Sequence, residues 1–238
     1  MDAVLFVRDG GTDSLWTSEV GYADVGQGFT FAKPEGTPTK GVTEGLAAVK
    51  LRSADYFLFN LDINPSQRPR AAFEGWLYLN SEDNAYGYVA GNDNGGYDRY
   101  LILHDSRGAG VTNILPSGIA GAAADYGIDR APTKEWIHVV TLYDQLGGLE
   151  SIWYNGRKGN TFTGISHSET NANELRVGGA PYADHYANVD VALIRIYSTW
   201  PSDETIQAAP RISPDTMPCK LAIDVRQARA EAIASRQR

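Results

Sequence analysis

The chain has 238 residues, the length of one large domain or two small ones. Apolar residues make up 42% of it and charged residues 21%, a balance that permits a sizeable core and excludes a wholly disordered chain. The formal net charge of -8 removes the electrostatic attraction that dominates binding to nucleic acids and anionic lipids. We therefore expect neither a nucleic-acid partner nor insertion into a membrane.

Short apolar runs separated by turn residues fill the first 200 positions, the spacing typical of an all-β sandwich. The pattern predicts strands over residues 3–7, 47–51, 56–61, 73–79, 86–90, 100–103, 136–143, 149–154, 174–177 and 189–197. Asn155-Gly156 is the strongest hairpin signal, because both residue types tolerate positive φ. Before residue 201, no run indicates a helix of ordinary length.

The run over residues 136–143 carries large side chains on both faces, which predicts a central strand covered on both sides. His138 shares a face with Trp136, Val140 and Leu142. We interpret it as a core histidine whose nitrogens are satisfied by neighbours, in preference to a ligand or catalytic group. We also expect the tryptophans of this run and of the run at 73–79 to fill the space between the two sheets.

The composition changes after residue 200. Four prolines within residues 201–218 predict a strap over the surface, and apolar residues at helical spacing predict a modest amphipathic helix over 220–238. That segment carries a net charge of +3, so it can fold back on the acidic body or dock on a partner or a second copy. Residues 1–207 are thus the predicted sandwich, and residues 208–238 are the predicted arm. The single cysteine, Cys219, cannot form an internal disulfide.

Two polar loops are the candidate functional segments. The loop over 91–98 places Asp93 and Asp98 in a flexible turn, where they are candidate Ca²⁺ ligands or members of a solvated hairpin. The loop over 180–188 offers rings and planar polar groups of the kind that bind sugars, or half-buried lids of the sandwich. The candidate ligand-binding residues are Tyr97, Tyr182, Asp184, His185 and Tyr186.

Five segments, in order and at consistent spacing, resemble strands of the laminin G-like jelly rolls within the concanavalin A-like lectin/glucanase superfamily. They are FEGWLYL at 73–79, WIHVVTLYD at 136–144, SIWYNGR at 151–157, ELRVGGA at 174–180 and LIRIY at 193–197. SDETI at 202–206 is similar to the closing turn of that family. The resemblance spans about residues 45–207 and implies an antiparallel two-sheet jelly roll with a short C-terminal helical tail.

The same resemblance implies binding of carbohydrates or proteins through rim loops or the concave sheet, often with calcium. Where many members carry an acidic pair near the last strand, this chain has Ala192 and Leu193, so a structural calcium there loses its carboxylates. Asp190 lies two residues upstream of Ala192 and offers partial compensation.

Catalytic motifs are missing from the sequence. The E-x-D-x-x-E arrangement of the superfamily's glycosidases is absent, as are serine-hydrolase, zinc-protease and Walker motifs. The leading hypothesis is therefore a non-enzymatic, lectin-like recognition module that binds a glycan or protein surface through the two loops. The alternative is a structural subunit of a virion or other large assembly that docks through residues 220–238, and a divergent glycosidase ranks third.

The chain as given has neither a signal-peptide pattern nor a long apolar segment. This is expected of an intracellular, a virion-associated or a processed extracellular protein.

Overall fold

The computed structural model describes residues 3–7, 20–24, 28–30, 33–52, 55–59, 61–81, 86–92, 99–105, 115–117, 131–169, 174–179, 186–197 and 200–209. Within these ranges lie sixteen strands and one helix. They are β1 (Ala3–Val7), β2 (Val20–Asp24), β3 (Gly28–Thr30), β4 (Lys33–Glu35), β5 (Thr39–Thr43), β6 (Leu46–Leu51), β7 (Tyr56–Phe59), β8 (Arg70–Ser81), β9 (Tyr86–Gly91), β10 (Arg99–Asp105), β11 (Leu115–Ser117), β12 (Trp136–Asp144), β13 (Leu149–Tyr154), β14 (Arg157–Thr163), β15 (Leu175–Val177), β16 (Asn188–Tyr197) and α1 (Asp203–Ala208).

The strands form two antiparallel sheets, which confirms the predicted sandwich. The larger sheet has the order β14-β13-β12-β8-β16-β1-β2-β3, with β6 also paired to β16 and β5 paired to β6. The smaller sheet has the order β11-β10-β9-β15-β7-β4. Neighbours in these orders are often distant in sequence, as expected of a jelly roll.

The main core lies between the sheets, because alternate side chains of each strand point inward. From the larger sheet, β8 contributes Phe73, Leu77 and Leu79, and β12 contributes Ile137 and Val139. From the smaller sheet come alternate residues of β7 and β15, together with residues of β9 and β10, all buried: Phe57, Phe59, Tyr88, Ala90, Leu101, Leu103, Leu175 and Val177. The inward positions therefore carry mainly aliphatic and phenyl side chains.

The prediction that the tryptophans fill the space between the two sheets is wrong. Trp76 and His138 are cross-strand partners with ring centroids 5.4 Å apart, and both belong to the positions that alternate with the inward ones. The strand alternation therefore turns Trp76 and Trp136 toward the outer face of the larger sheet. Trp76 is nevertheless buried there, and β12 is buried from Ile137 to Asp144, as predicted for a strand covered on both faces.

A second, smaller core covers part of this outer face. Ile206 of α1 packs with Ala72, Val140, Leu142 and Trp153. The helix begins at Ser202, whose side chain accepts a hydrogen bond from the Thr205 backbone N–H at 3.3 Å, as an N-cap does. The segment predicted as the family's closing turn is thus a short helix that seals one side of the larger sheet.

Each of the ten predicted strands has a counterpart in the structure, while β2, β3, β4, β5, β11 and β14 were not predicted. Asn155 and Gly156, with φ of 46° and 75°, form the predicted hairpin turn between β13 and β14. Cys219 and the predicted arm over 220–238 lie outside the described residues. Within the described ranges, no helix is both long and apolar enough to cross a membrane.

Candidate functional site

The outer face of the smaller sheet presents a half-buried patch of mixed chemistry. In β7 the inward residues Phe57 and Phe59 are buried, whereas Tyr56 and Leu58 on the opposite face are half-buried. In β15 the same alternation leaves Arg176 half-buried and outward-facing. Register places Arg176 directly opposite Leu58, so the three side chains share one patch.

Arg176 lies over the ring of Tyr56, with its Cζ atom 4.7 Å from the ring centroid. This is a cation–π contact, which orients the guanidinium without using its N–H donors. Among the described residues, no hydrogen bond or ion pair engages the Arg176 guanidinium or the Tyr56 hydroxyl. Within the described part of the chain, the cation–π contact is thus the interaction that holds the guanidinium.

Glycines frame this patch because the backbone leaves no room for a side chain. A Cβ at Gly178 would clash with the carbonyl oxygen of Asp55, and φ there is 120°. A Cβ at Gly91, the cross-strand partner of Arg176, would clash with the carbonyl oxygen of Arg99. At Gly179 a Cβ would lie 3.6 Å from the Tyr56 ring, so the chain passes close to that ring. We call Tyr56, Leu58, Arg176 and Gly179 the Tyr56–Arg176 platform.

Both predicted loops start or end beside this platform. The loop over 180–188 leaves at Gly179 and returns at Tyr186, and these two residues form an antiparallel bridge. The loop over 91–98 leaves at Gly91 and Asn92, and the Asn92 N–H donates to the Arg99 carbonyl at 3.0 Å. Because β9 and β15 are antiparallel, the two loops leave at opposite ends of the pair, about 10 Å apart at ~3.3 Å per residue.

Of the predicted site residues, the structure describes Tyr186 alone. It is half-buried and bridged to Gly179. Tyr97, Tyr182, Asp184 and His185, together with the predicted calcium ligands Asp93 and Asp98, lie outside the described residues. Sequence reasoning missed Tyr56 and Arg176, although both occupy outward positions of predicted strands and the alternation with buried phenylalanine and valine could have identified them.

A second polar cluster lies on the outer face of the larger sheet, but it is buried. Glu74 accepts from Tyr197 Oη at 2.5 Å and from Arg195 Nη1 at 3.4 Å, and its Oε1 lies 3.0 Å from His138 Nε2. Burial alone would raise the pKa of Glu74, but the His138 hydrogen bond and the Arg195 charge together lower it to about 2. The carboxylate therefore stays ionised and fixed.

His138 is as buried as the sequence predicted, but only one of its nitrogens is satisfied. Its Nε2 pairs with Glu74, whereas Nδ1 has no hydrogen-bond partner in the described part of the chain. Burial raises the pKa of Tyr197, so its hydroxyl remains a donor to Glu74. Glu74 and His138 are therefore the buried members of a set of ionic hydrogen bonds whose other members, Arg195 and Tyr197, are half-buried.

The residues around Asp190 do not fit a calcium ion. Oδ1 of Asp190 accepts from Arg52 Nη2 at 2.5 Å and from Asn80 Nδ2 at 2.9 Å, and Oδ2 accepts from Thr43 Oγ1 at 2.6 Å. A guanidinium thus already neutralises the carboxylate that was expected to compensate for the missing acidic pair. More generally, no group of three or more histidine, cysteine or acidic side chains within the described ranges is arranged to hold a metal ion.

A buried arginine ties the smaller sheet to the crossover that precedes β8. Arg99 is fully buried and donates to the backbone carbonyls of Ile63, Arg68 and Pro69. Burial lowers its pKa to about 10, although nearby acidic groups oppose the shift. Since these donors are already used by the backbone, Arg99 holds the root of the 91–98 loop and is not free to bind a ligand.

Comparison with protein families assigns this architecture. A laminin G-type family model described as the concanavalin A-like lectin/glucanases superfamily matches residues 54–207. The chain belongs to this superfamily. The match begins just before β7 and ends within α1, so it includes Tyr56 and Arg176 and agrees with the resemblance seen in the strand segments. Comparison with curated proteins found no relative of significant sequence similarity.

Solved structures share the fold at low sequence identity. Domain 4 of AbnA, a GH43 extracellular arabinanase from Geobacillus stearothermophilus solved with arabinotriose, is 15% identical with a TM-score of 0.59, over 78% of this chain and 90% of that one. The receptor-binding domain of botulinum neurotoxin mosaic serotype C/D is 13% identical with a TM-score of 0.55, over 88% of this chain and 50% of that one. The binding domain of botulinum neurotoxin DC in complex with SialylT has 10% identity and a TM-score of 0.55, over 87% and 50%. This chain therefore spans about half the length of the neurotoxin domains.

Proposed function

We propose that this protein is a non-enzymatic recognition module that binds a glycan on the outer face of its smaller sheet. The Tyr56–Arg176 platform and the flanking loops over 91–98 and 180–188 form the proposed site. The observation that carries this proposal is the half-buried Arg176–Tyr56 pair on the outer face, because its polar groups have no hydrogen-bond or ion-pair partner among the described residues. Carbohydrate sites commonly combine an aromatic surface with a few such polar groups.

Two further facts support a binding role. The similar structures are named as receptor-binding or binding domains, or as a domain solved with an oligosaccharide. In addition, both loops leave from strands beside the platform, and they contain all seven predicted ligand or metal contacts: Asp93, Tyr97, Asp98, Tyr182, Asp184, His185 and Tyr186.

The absence of catalysis is part of the proposal. Glycoside hydrolysis needs a carboxylic acid that is protonated at working pH, paired with a second carboxylate at fixed separation. Glu74 is unsuited to the acid role because its pKa is about 2 and its oxygens are held by Tyr197, Arg195 and His138. The E-x-D-x-x-E arrangement is also missing from the sequence.

The test is a glycan array with the full chain, run with and without a chelator, followed by titration of each hit into Tyr56→Ala and Tyr56→Phe. We expect Tyr56→Ala to weaken binding about tenfold, because the aromatic surface and its support of Arg176 are both lost, while Tyr56→Phe keeps most of the affinity. A silent array at high protein concentration, or hits that Tyr56→Ala leaves unchanged, would overturn the proposed site. Loss of binding in chelator would support the calcium predicted at Asp93 and Asp98.

A further inference from the structure

We propose that the saccharide recognised at the Tyr56–Arg176 platform is an acidic one, and that the Arg176 guanidinium binds its carboxylate. This inference rests on the proposed function and specifies the class of ligand. Its starting observation is a guanidinium that contacts an aromatic ring and has no hydrogen-bond partner among the described residues.

Arginine is suited to a carboxylate because its planar fork can donate two parallel N–H bonds to the two oxygens. Here Cζ lies 4.7 Å from the centroid of the Tyr56 ring, a contact that restricts the position of the guanidinium. Half-burial raises the strength of an ionic hydrogen bond over that at a fully exposed side chain. The Arg176 side chain is thus partly ordered before the ligand binds, so that less conformational entropy is lost on binding.

The neighbouring backbone leaves one flank of Arg176 without a side chain. Gly91 pairs with Arg176 on the β9 side, and its backbone conformation and surroundings exclude any larger residue. On the β7 side the partner is Leu58, a half-buried apolar side chain. At its register position Arg176 thus has a glycine on one side and an apolar side chain on the other, and this mixed surface suits the polar and apolar faces of a sugar acid.

The surrounding charges favour a specific contact over general attraction of anions. Lys33 is the register partner of Leu58, whereas Glu35 is the register partner of Tyr56 and exposed Glu174 lies two residues before Arg176. Because the whole chain carries a net charge of -8 and acidic residues lie close to Arg176 in register and sequence, a diffuse positive field does not explain anion binding here.

The experiment uses a glycan array containing neutral, sulfated and carboxylate-bearing oligosaccharides. Each carboxylate-bearing hit is then titrated calorimetrically, as the free acid and as its methyl ester, into the full chain and its variants. We expect Arg176→Gln to weaken binding of the acid about ten- to a hundredfold, as for loss of a hydrogen bond to a charged group, and to change binding of the ester less than about threefold. Arg176→Lys keeps the positive charge but cannot donate two parallel N–H bonds. We therefore expect it to bind the acid more tightly than Arg176→Gln and more weakly than the native chain.

Arg157→Gln is the matched control, because it removes the same charge from an exposed position on β14 of the other sheet. Unchanged circular dichroism and melting temperature establish that each variant is folded. Neutral or sulfated hits without carboxylate-bearing ones, equal binding of acid and ester, or equal losses in Arg176→Gln and Arg157→Gln would each overturn this inference while the proposed glycan site stands. A wholly silent array would instead remove the proposed function itself.

Discussion

Glu74 holds a charge where water scarcely reaches it, at 5% exposure. Its pKa of about 2 lies below the ordinary value of 4.5, so the ionised form stabilises the fold above about pH 4.5. That contribution, about 3 kcal/mol at ~1.4 kcal/mol per unit, is lost as the pH falls from about 4.5 to about 2. The ionic cluster should therefore make stability fall in this acidic window.

We expect Glu74→Gln to lower the free energy of unfolding by about 3 kcal/mol at pH 7, because Arg195 is left without its buried counter-ion. The deficit relative to the native chain should shrink as the pH falls below about 4.5. Urea unfolding at pH 7, 4 and 3 measures this, with Glu135→Gln as an exposed control that should shift stability by less than about 0.5 kcal/mol. A deficit that is constant across the three pH values would contradict the assigned charge state.

Gly178 connects the platform to the loop over 180–188 and cannot carry a side chain. The unfavourable φ alone should make Gly178→Ala destabilise the fold by about 1–3 kcal/mol. We expect a larger loss, because the added Cβ would also clash with the Asp55 carbonyl oxygen. Gly164→Ala is the matched comparison, because φ is 72° there and the space around it is open. Equal midpoints for the two variants in urea would show that the clash is relieved at no cost.

Residue-level prediction from sequence worked where alternation decides the outcome. It predicted the face and the burial of His138, because the apolar run around this residue identifies the strand. It did not predict that Glu74 lies beside His138, Arg195 and Tyr197, because these residues come together only when β8 pairs with β12 and β16. Tyr56 and Arg176 meet only through the pairing of β7 with β15. A contact between residues 120 positions apart carries no local signal.

Among the elements, α1 stabilises the outer face of the larger sheet through one buried side chain. We expect Ile206→Ala to cost about 2–5 kcal/mol, the range for removing a large aliphatic group from a core, because Trp153, Val140 and Leu142 lose their cover. The neighbouring exposed position provides the control, Gln207→Ala, which should leave the unfolding midpoint nearly unchanged. Indistinguishable midpoints for the two variants would show that the helix is dispensable.

Strands with apolar runs were predictable, whereas strands with polar or interrupted sequences were not. β14 reads RKGNTFT and β4 contains Pro34, so neither carries the alternation that marks a strand in isolation. Each forms because a neighbouring strand offers an edge to pair with, β13 for β14 and β7 for β4. The tryptophans were misplaced for a related reason: their size suggested the inter-sheet space, but the alternation of β8 and β12 assigns them to the outer face.

At the scale of the whole molecule, the outer faces of the two sheets differ in burial. The larger sheet is buried on both faces around β8 and β12, with Glu74 and α1 on its outer side. The smaller sheet keeps a half-buried outer patch from which the two predicted loops leave. The sequence predicted the architecture and the loops, because strand patterns and family-like segments are local, but not the patch between the loops. Docking through residues 220–238 stays a prediction.

The most direct test of this account is a nuclear magnetic resonance titration of the labelled chain with the tightest carboxylate-bearing oligosaccharide from the array. We expect the largest amide shifts at Leu58, Gly91, Arg176 and Gly179, and a shift of the Arg176 side-chain Nε–H resonance that is absent with the methyl ester. Shifts confined to the outer face of the larger sheet, around Trp76, His138 and Arg195, would contradict it.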